Sequence, residues 1–298
     1  MRFAGKEIGV HQVSFILHEA GRAPRQFAST QLTVTRASKP VPGFLRVSRK
    51  TPGRFAFNSG KGYFALGHNV CWVKRDKGTF AYDDYFAHMS EAGENFTRIW
   101  LCTWGIGLDT KKPYAVDQDD AWRLDHVLAQ AGKLGIMVKL CIDNFYDFQN
   151  HWSASPFASD NGGPCRTRGE FFTSPRAAVQ YRAKLRYLVG RYSAYTSLMA
   201  WELWNEMDYA LHPYDIGDQD SKTSFMTYDD LREKIMIPWT MNMTREIRKI
   251  DPFEHMVTTS LGLHSVWDNL WKKPEMAFAQ YHSYIHYLDW QREPVEPR

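Results

Sequence analysis

Two glutamates, Glu202 and Glu206, lie in a short run of apolar and tryptophan residues, which reads Trp-Glu-Leu-Trp-Asn-Glu over positions 201–206. The run has the length and composition of a buried β-strand, and a polar segment follows it directly. Strand side chains alternate between two faces, so Glu202, Trp204 and Glu206 are predicted to share one face, with Asn205 on the other. Burying carboxylates on an apolar strand costs free energy unless each is paired or used in chemistry. The run therefore indicates either a structural ion pair or an active site.

The same six residues resemble the fourth-strand motif of the retaining glycoside hydrolases of clan A, which are built on the (β/α)8 barrel. The similarity is greatest to their cellulase and mannanase branch, family 5. This resemblance implies a TIM-type barrel in which Glu206 is the general acid/base and Asn205 binds the sugar 2-hydroxyl. It also implies hydrolysis of β-linked poly- or oligosaccharides, with a carbohydrate as the binding partner and no metal or organic cofactor.

Strand and helix patterns alternate along the chain in the order that such a barrel requires. We predict strands at residues 63–70, 95–101, 136–142, 197–206, 255–260 and 276–281, and helices at 83–92, 119–134, 175–192, 229–250 and 265–271. Pro238 lies inside the pattern at 229–250 and indicates a kink there, or two helices in succession. Polar residues follow several of these strands directly, and barrel enzymes carry their active sites at the carboxyl ends of their strands. The chain has 298 residues, 44% of them hydrophobic, which is enough for one core of this size.

Three polar residues in or directly after other predicted strands are further candidates for the catalytic site. Arg98 lies inside the second predicted strand, where a guanidinium needs a carboxylate partner. In the resembled enzymes an arginine at this position keeps the nucleophilic carboxylate ionised, and a structural pair with Glu202 is the alternative. His282 and Tyr284 form a His-x-Tyr sequence after the sixth predicted strand. The resemblance implies that Tyr284 hydrogen-bonds the nucleophile.

Aromatic residues make up 15% of the chain, and several lie at predicted strand ends or in the long loop 147–172. Sugar rings stack on aromatic faces, but aromatic side chains are first of all core residues, so a core position is the alternative for each of them. The candidate substrate-binding residues are Trp72, Trp104, Asp143, Tyr146, Trp152 and Trp204.

Residues 1–40 differ from the sequence that follows. Two strand-like segments, 10–18 and 26–35, flank a turn-rich segment and predict a β-hairpin. A hairpin alone is marginally stable, so it needs a partner surface. It resembles the last strands of the small β-sandwich that precedes the barrel in some relatives. We therefore assign residues 1–40 to the remnant of such a module and residues 41–298 to the barrel.

The barrel pattern ends after about six βα units, because the residues that follow Tyr284 are few and rich in proline, which a buried strand excludes. A retaining enzyme needs a second carboxylate, expected on a seventh strand, about 5–5.5 Å from the first. Three interpretations follow: a longer protein is the enzyme, another chain covers the open barrel edges and supplies the missing strands, or the chain is a non-catalytic carbohydrate-binding protein.

Composition argues against other classes of protein. The net charge is +4 and basic residues are scattered, so neither nucleic acid nor an anionic membrane is indicated as a partner. The apolar runs are too short to span a membrane. No secretion signal is recognised, which leaves a secreted or periplasmic enzyme without its leader and a cytoplasmic enzyme both open. The spacing of the four cysteines does not suit zinc, and buried thiols are expected instead.

Overall fold

The central element of the computed structural model is a parallel sheet of four strands. Residues 7–36, 42–73, 78–216, 226–262 and 267–282 are described. The strands are β8 (Phe96–Trp100), β9 (Met137–Asn144), β10 (Leu198–Asn205) and β11 (Met256–Thr258), and they neighbour one another in that order. Every residue of β10 is buried, as expected for a barrel strand with helices on one face and the barrel interior on the other. These strands confirm the second to fifth predicted ones.

Helices cover the outer face of this sheet. They are α1 (Ala81–Glu91), α2 (Gln118–Lys133), α3 (Phe145–Asn150), α4 (Arg168–Thr173), α5 (Pro175–Tyr192), α6 (Tyr228–Leu231), α7 (Ile237–Ile250) and α8 (Asp268–Trp271). The side chain of Ser174 caps α5, and a proline occupies its first turn, which explains why its predicted bounds are correct. Within the described residues, we find no helix with the length and apolarity needed to cross a membrane.

The helical pattern over residues 229–250, in which Pro238 predicts a kink or two successive helices, corresponds to two α-helices. A π-helical turn, Arg232–Met236, separates α6 from α7, and Pro238 lies in the first turn of α7. Proline has no backbone N–H and its ring collides with the preceding turn, so it favours the start of a new helical segment over the interior of a continuous helix.

The predicted first and sixth strands do not form regular strands in the structure. Residues 64–70 lie beside β8, where the carbonyl of Leu66 accepts from the amides of Asn95 and Phe96, but they form no ladder. Residues 276–281 lie beside β11 and the residues after it in the same intermittent way: the amide of Ala277 donates to the carbonyl of Val257, and Leu261 forms a bridge with Tyr281. Among the described residues, both segments lie at the edges of the parallel array, where one neighbour alone holds the backbone extended.

A small antiparallel sheet covers the amino end of the barrel strands. It consists of β5 (Leu45–Val47), β6 (Phe55–Phe57) and β7 (Gly62–Tyr63). Leu45 is fully buried in a cluster with the methionines that lie at or near the start of β9, β10 and β11, namely Met137, Met199 and Met256. This packing closes one end of the barrel interior, so the open end is the one that carries the carboxyl termini of the strands.

The amino-terminal hairpin is present as predicted. The strand β1 (Gly9–Val13) pairs antiparallel with β4 (Thr30–Val34), and β2 (Ile16–Leu17) pairs with β3 (Arg25–Gln26). None of residues 7–36 is buried. That this hairpin belongs to a separate β-sandwich module remains a prediction.

Candidate active site

Glu206 follows β10 directly, at the open end of the barrel. Its backbone lies in the left-handed region, with φ 50° and ψ 58°, which costs a non-glycine residue about 1–3 kcal/mol. The amide of Glu206 donates to Ser260 Oγ at 3.0 Å, and this bond fixes the turn. The side chain is nearly buried, and its Oε1 lies 2.7 Å from Nδ1 of His282. Strain of this kind is typical of residues held in place for a function.

Below Glu206, a group of charged and amide side chains fills the barrel interior. We call Arg98, Lys139, Glu202 and Gln280 the polar layer. Arg98 binds Glu202 through both carboxylate oxygens, at 2.5 and 2.7 Å. Lys139 Nζ lies 3.7 Å from the same carboxylate, and Gln280 Nε2 donates to it at 3.0 Å. Arg98 thus pairs with Glu202, which is the alternative to a nucleophilic carboxylate that the sequence left open.

The charges of the polar layer keep Glu202 ionised. Burial alone would raise the pKa of Glu202, but the attraction of Arg98 and then of Lys139 outweighs it and lowers this pKa to about 2. Burial also lowers the pKa of Lys139, although Glu202 opposes this effect. For Arg98 burial acts in the same direction, but Glu202 reverses it and raises the pKa of the guanidinium. Glu202 is therefore a fixed negative charge and has no proton to donate near neutral pH.

Asn205 and Trp204 lie on the opposite faces from those predicted. Asn205 Oδ1 accepts from Arg98 at 2.8 Å, so this side chain points into the barrel interior. Trp204 is 1% exposed and packs against aromatic rings of the helical layer, those of Phe148, Phe172 and Trp239. The predicted role of Trp204 as a sugar-stacking surface is therefore wrong. The interior space at this level is occupied by Arg98 and its partners, and the helical layer offers the indole apolar neighbours.

Four aromatic rings, two exposed and two half-buried, form a wall at the open end of the barrel. We call Trp100, Trp72, Trp104 and Tyr146 the aromatic row, because successive ring centroids lie 5.0, 5.4 and 5.4 Å apart. The row begins over Arg98, whose guanidinium lies 5.0 Å from the centroid of the Trp100 ring. Trp72 is 40% and Tyr146 49% exposed. Three predicted stacking residues, Trp72, Trp104 and Tyr146, are thus brought together beside the site.

Two other predicted substrate-binding residues, Asp143 and Trp152, contact side chains of the helices instead. Asp143 accepts from Lys184 at 2.8 Å and from the hydroxyl of Tyr181 at 2.6 Å, so it is tied to α5. Burial raises the pKa of Asp143, and Lys184 opposes this shift. This structural ion pair accounts for Asp143 without a substrate. Trp152 is half-buried and packs edge-to-face on the core residue Phe148, with ring centroids 5.3 Å apart.

Three residues of the site were not predicted: Lys139, Ser260 and Gln280. Ser260 Oγ accepts from the amide of Glu206 and also lies 3.3 Å from Nη2 of Arg98, so it joins the polar layer to the acid/base candidate. Lys139 could have been predicted by the same sequence feature as Arg98, since it is a lone cation in an apolar run. Gln280 and Ser260 had only their position near the end of a predicted strand. The remaining candidate, Tyr284, lies outside the described residues.

Comparisons with known proteins agree with the fold and the motif. Over 215 residues the chain is 29% identical to a probable mannan endo-1,4-β-mannosidase A of Aspergillus flavus, a match that covers 64% of this chain and 52% of the relative. The structure resembles a β-mannanase of the blue mussel Mytilus edulis, with a TM-score of 0.57 and 16% identity over 83% of this chain and 76% of that one. It also resembles a family 5 glycoside hydrolase, a mannosidase of Rhizomucor miehei, with a TM-score of 0.59 and 13% identity. This match covers 81% of this chain and 62% of the mannosidase chain.

The sequence and structure matches cover only part of the proteins compared. No known family profile matches the chain. The chain spans about half the length of the curated relatives it matches. At 13–16% identity, the two solved structures show the fold, a (β/α)8-type barrel. Together with the Trp-Asn-Glu end of β10, the sequence relatives and the fold support a clan A glycoside hydrolase similar to the cellulases and mannanases.

Proposed function

We propose that this protein is a glycoside hydrolase that cleaves β-linked mannan by a retaining mechanism, with Glu206 as the general acid/base. The observation that supports this proposal best is the position of Glu206: a nearly buried carboxyl on a strained backbone at the open end of the barrel, bonded to His282. The substrate class rests on the relatives, which are named mannan endo-1,4-β-mannosidases.

In this proposal the neighbouring residues orient the sugar against Glu206. The amide nitrogen of Asn205 is buried and, among the described residues, has no hydrogen-bond partner, so it is available to donate to the sugar 2-hydroxyl. The aromatic row supplies flat apolar surfaces for sugar rings. Glu206 would protonate the leaving oxygen and then accept a proton from the attacking water.

Retention also needs a carboxylate nucleophile about 5–5.5 Å from the acid/base. Glu202 is unsuitable for this role, because Arg98 binds both of its oxygens and it lies in the closed interior of the barrel. We assign the nucleophile to none of the described residues. Arg98 and Tyr284 are proposed to contact it, as the resemblance implies.

The variant Glu206→Ala tests the acid/base role in the full chain. Hydrolysis of β-1,4-mannan should fall by about 10²- to 10⁴-fold, because mannan has a poor leaving group that must be protonated. A dinitrophenyl β-mannoside has a leaving group that needs no proton, so the glycosyl-enzyme should still form. Azide needs no general base, so it should release that intermediate as β-mannosyl azide, detected by mass spectrometry and NMR.

A matched control is Glu254→Ala. Glu254 also has a left-handed backbone, with φ 55°, but it lies before β11 at the opposite end of the barrel. Its substitution should leave mannan hydrolysis unchanged. Undiminished mannan hydrolysis by Glu206→Ala contradicts the assignment. Binding of mannan oligosaccharides without turnover by the wild type would favour the carbohydrate-binding alternative.

A further inference from the structure

A chain of hydrogen bonds links a buried lysine to the carboxyl of Glu206. Lys139 Nζ donates to the side-chain oxygen of Gln280. The side-chain nitrogen of Gln280 lies 3.0 Å from Glu202 Oε1 and 3.4 Å from His282 Nε2. On its other side, the ring of His282 contacts Glu206 through Nδ1, at 2.7 Å. The polar layer and the acid/base candidate are therefore joined through one amide and one imidazole.

The two charged neighbours of Gln280 decide which way its amide points. An ammonium group has donors only, so Lys139 must face the amide oxygen. An ionised carboxylate has acceptors only, so Glu202 must face the amide NH2 group. Both requirements are met by one orientation, in which the second N–H of Gln280 is directed at His282. A flipped amide would place its oxygen against the carboxylate of Glu202 and its NH2 group against the ammonium of Lys139.

This orientation of Gln280 has a consequence for His282. A neutral imidazole carries one N–H and one acceptor nitrogen, and two donors cannot share one hydrogen bond. Since Gln280 donates towards Nε2, this nitrogen is the acceptor in the neutral ring. The ring proton is then on Nδ1, and His282 donates it to Oε1 of Glu206.

We propose that Gln280, held by Lys139 and Glu202, sets the tautomer of His282 and thereby the position of the acid proton on Glu206. The functional part of this inference rests on the proposed acid/base role of Glu206. With Oε1 accepting from His282, the proton of the neutral carboxyl group is placed on Oε2, from which it can pass to a leaving oxygen. In the opposite tautomer Nδ1 would accept, and Glu206 would donate its proton to the ring instead. Lys139 and Gln280 are in this sense positioning residues.

The ¹⁵N NMR spectrum of the histidine-labelled full chain tests the tautomer directly. The signals of His282 are identified by their loss in His282→Gln. We expect a pyrrole-type Nδ1 and a pyridine-type Nε2 in the neutral ring. A pyrrole-type Nε2 overturns the inference, and so does a ring that is doubly protonated throughout the pH range in which the protein is folded.

The variant Gln280→Met tests the origin of this preference. It removes the donor to Nε2, so His282 should become a mixture of the two tautomers. In Lys139→Met, Glu202 alone orients the amide of Gln280. The fraction of His282 in the Nε2–H tautomer should therefore lie between the fractions in the wild type and in Gln280→Met. An unchanged spectrum in Gln280→Met overturns the role of Gln280. An unchanged spectrum in Lys139→Met removes Lys139 from the proposal. If Gln280→Met does not fold, the spectra of the wild type and of Lys139→Met still test the proposal.

The matched control is Gln180→Met. Gln180 is a buried glutamine whose amide donates to a backbone carbonyl, that of Pro156, but it lies on α5. Its loss should leave the His282 signals unchanged. A shift of these signals in Gln180→Met equal to that in Gln280→Met would assign the effect to general loosening of the core and overturn the inference.

Kinetics add a readout that depends on the proposed function. On mannan, kcat of Gln280→Met should fall about tenfold with little change in KM, well short of the ~10²- to 10⁴-fold loss of a missing general acid. The dinitrophenyl mannoside, which needs no proton, should be affected less, and equal losses on both substrates contradict the proposal. If the wild type hydrolyses no mannan, the proposed function fails, while the tautomer is still read from the nitrogen signals.

Discussion

Glu202 and Glu206 belong to the same short segment, yet the two regions around them differ in almost every physical respect. Glu202 is fully buried in the polar layer, between two cations, and its pKa lies far below the usual range because Arg98 and Lys139 outweigh the effect of burial. Glu206 lies at the open end of the barrel on a strained backbone, beside an imidazole. The comparison shows that four residues of strand are enough to separate a structural charge from a carboxyl placed for proton transfer.

The largest expected effect that tests this comparison is on stability. Glu202→Gln removes the charge that compensates Arg98 and Lys139, and breaking a buried ion pair on one side costs about 3–5 kcal/mol. Glu206→Gln should change the free energy of unfolding by less than about 1 kcal/mol, because the isosteric amide removes no buried ion pair of this kind. Denaturant unfolding of the two variants measures both values. Equal losses would show that Glu206 is as structural as Glu202.

The acid stability of the protein provides the second test. The pKa of Glu202 is about 2 in the folded protein and about 4.3 in an unfolded chain, so the lowered folded value stabilises the protein above the unfolded pKa. This contribution, about 3 kcal/mol, should be lost as the pH falls from about 4.3 to about 2. In Glu202→Gln the free energy of unfolding should depend less steeply on pH over this interval. Unfolding curves recorded across this range compare the two proteins, and equal slopes contradict the ion-pair account.

The class of fold could be predicted because the motif at 201–206 resembles a known family, and the end of β10 because it depends on a local pattern. An apolar run that ends in Asn-Glu marks a strand end, and the Ser-Pro start of α5 marks a helix. The faces of Trp204 and Asn205 could not be predicted by alternation, since competition for space in the barrel interior decides them. The roles of Lys139 and Gln280 depend on contacts across 141 positions of the chain, which no local pattern records.

Ser260 connects the two regions, and its loss should have an intermediate effect. Ser260→Ala leaves the buried amide of Glu206 without its acceptor and removes one contact of Arg98. An unsatisfied buried donor costs about 1–3 kcal/mol. We expect a loss of stability in this range, together with a fall in kcat on mannan because the turn at Glu206 is less well fixed. Thr259→Val, which alters the neighbouring buried hydroxyl bonded to the carbonyl of Trp204, is the control: it should affect stability but change kcat less.

The smallest expected effect separates the aromatic row from exposed aromatic residues elsewhere on the protein. Trp104→Ala should weaken binding of mannan oligosaccharides about 2- to 10-fold, since one aromatic contact contributes about 0.5–1.5 kcal/mol. Trp122→Ala is the control, because Trp122 is 52% exposed but lies on α2 and stacks on His126. Isothermal titration with a series of oligosaccharide lengths measures both variants. If Trp104 stacks on a sugar, its loss should cancel the affinity gained by adding one particular sugar unit, whereas Trp122→Ala should leave the whole series unchanged. An equal loss at every length would instead place Trp104 among the residues that only support the shape of the site.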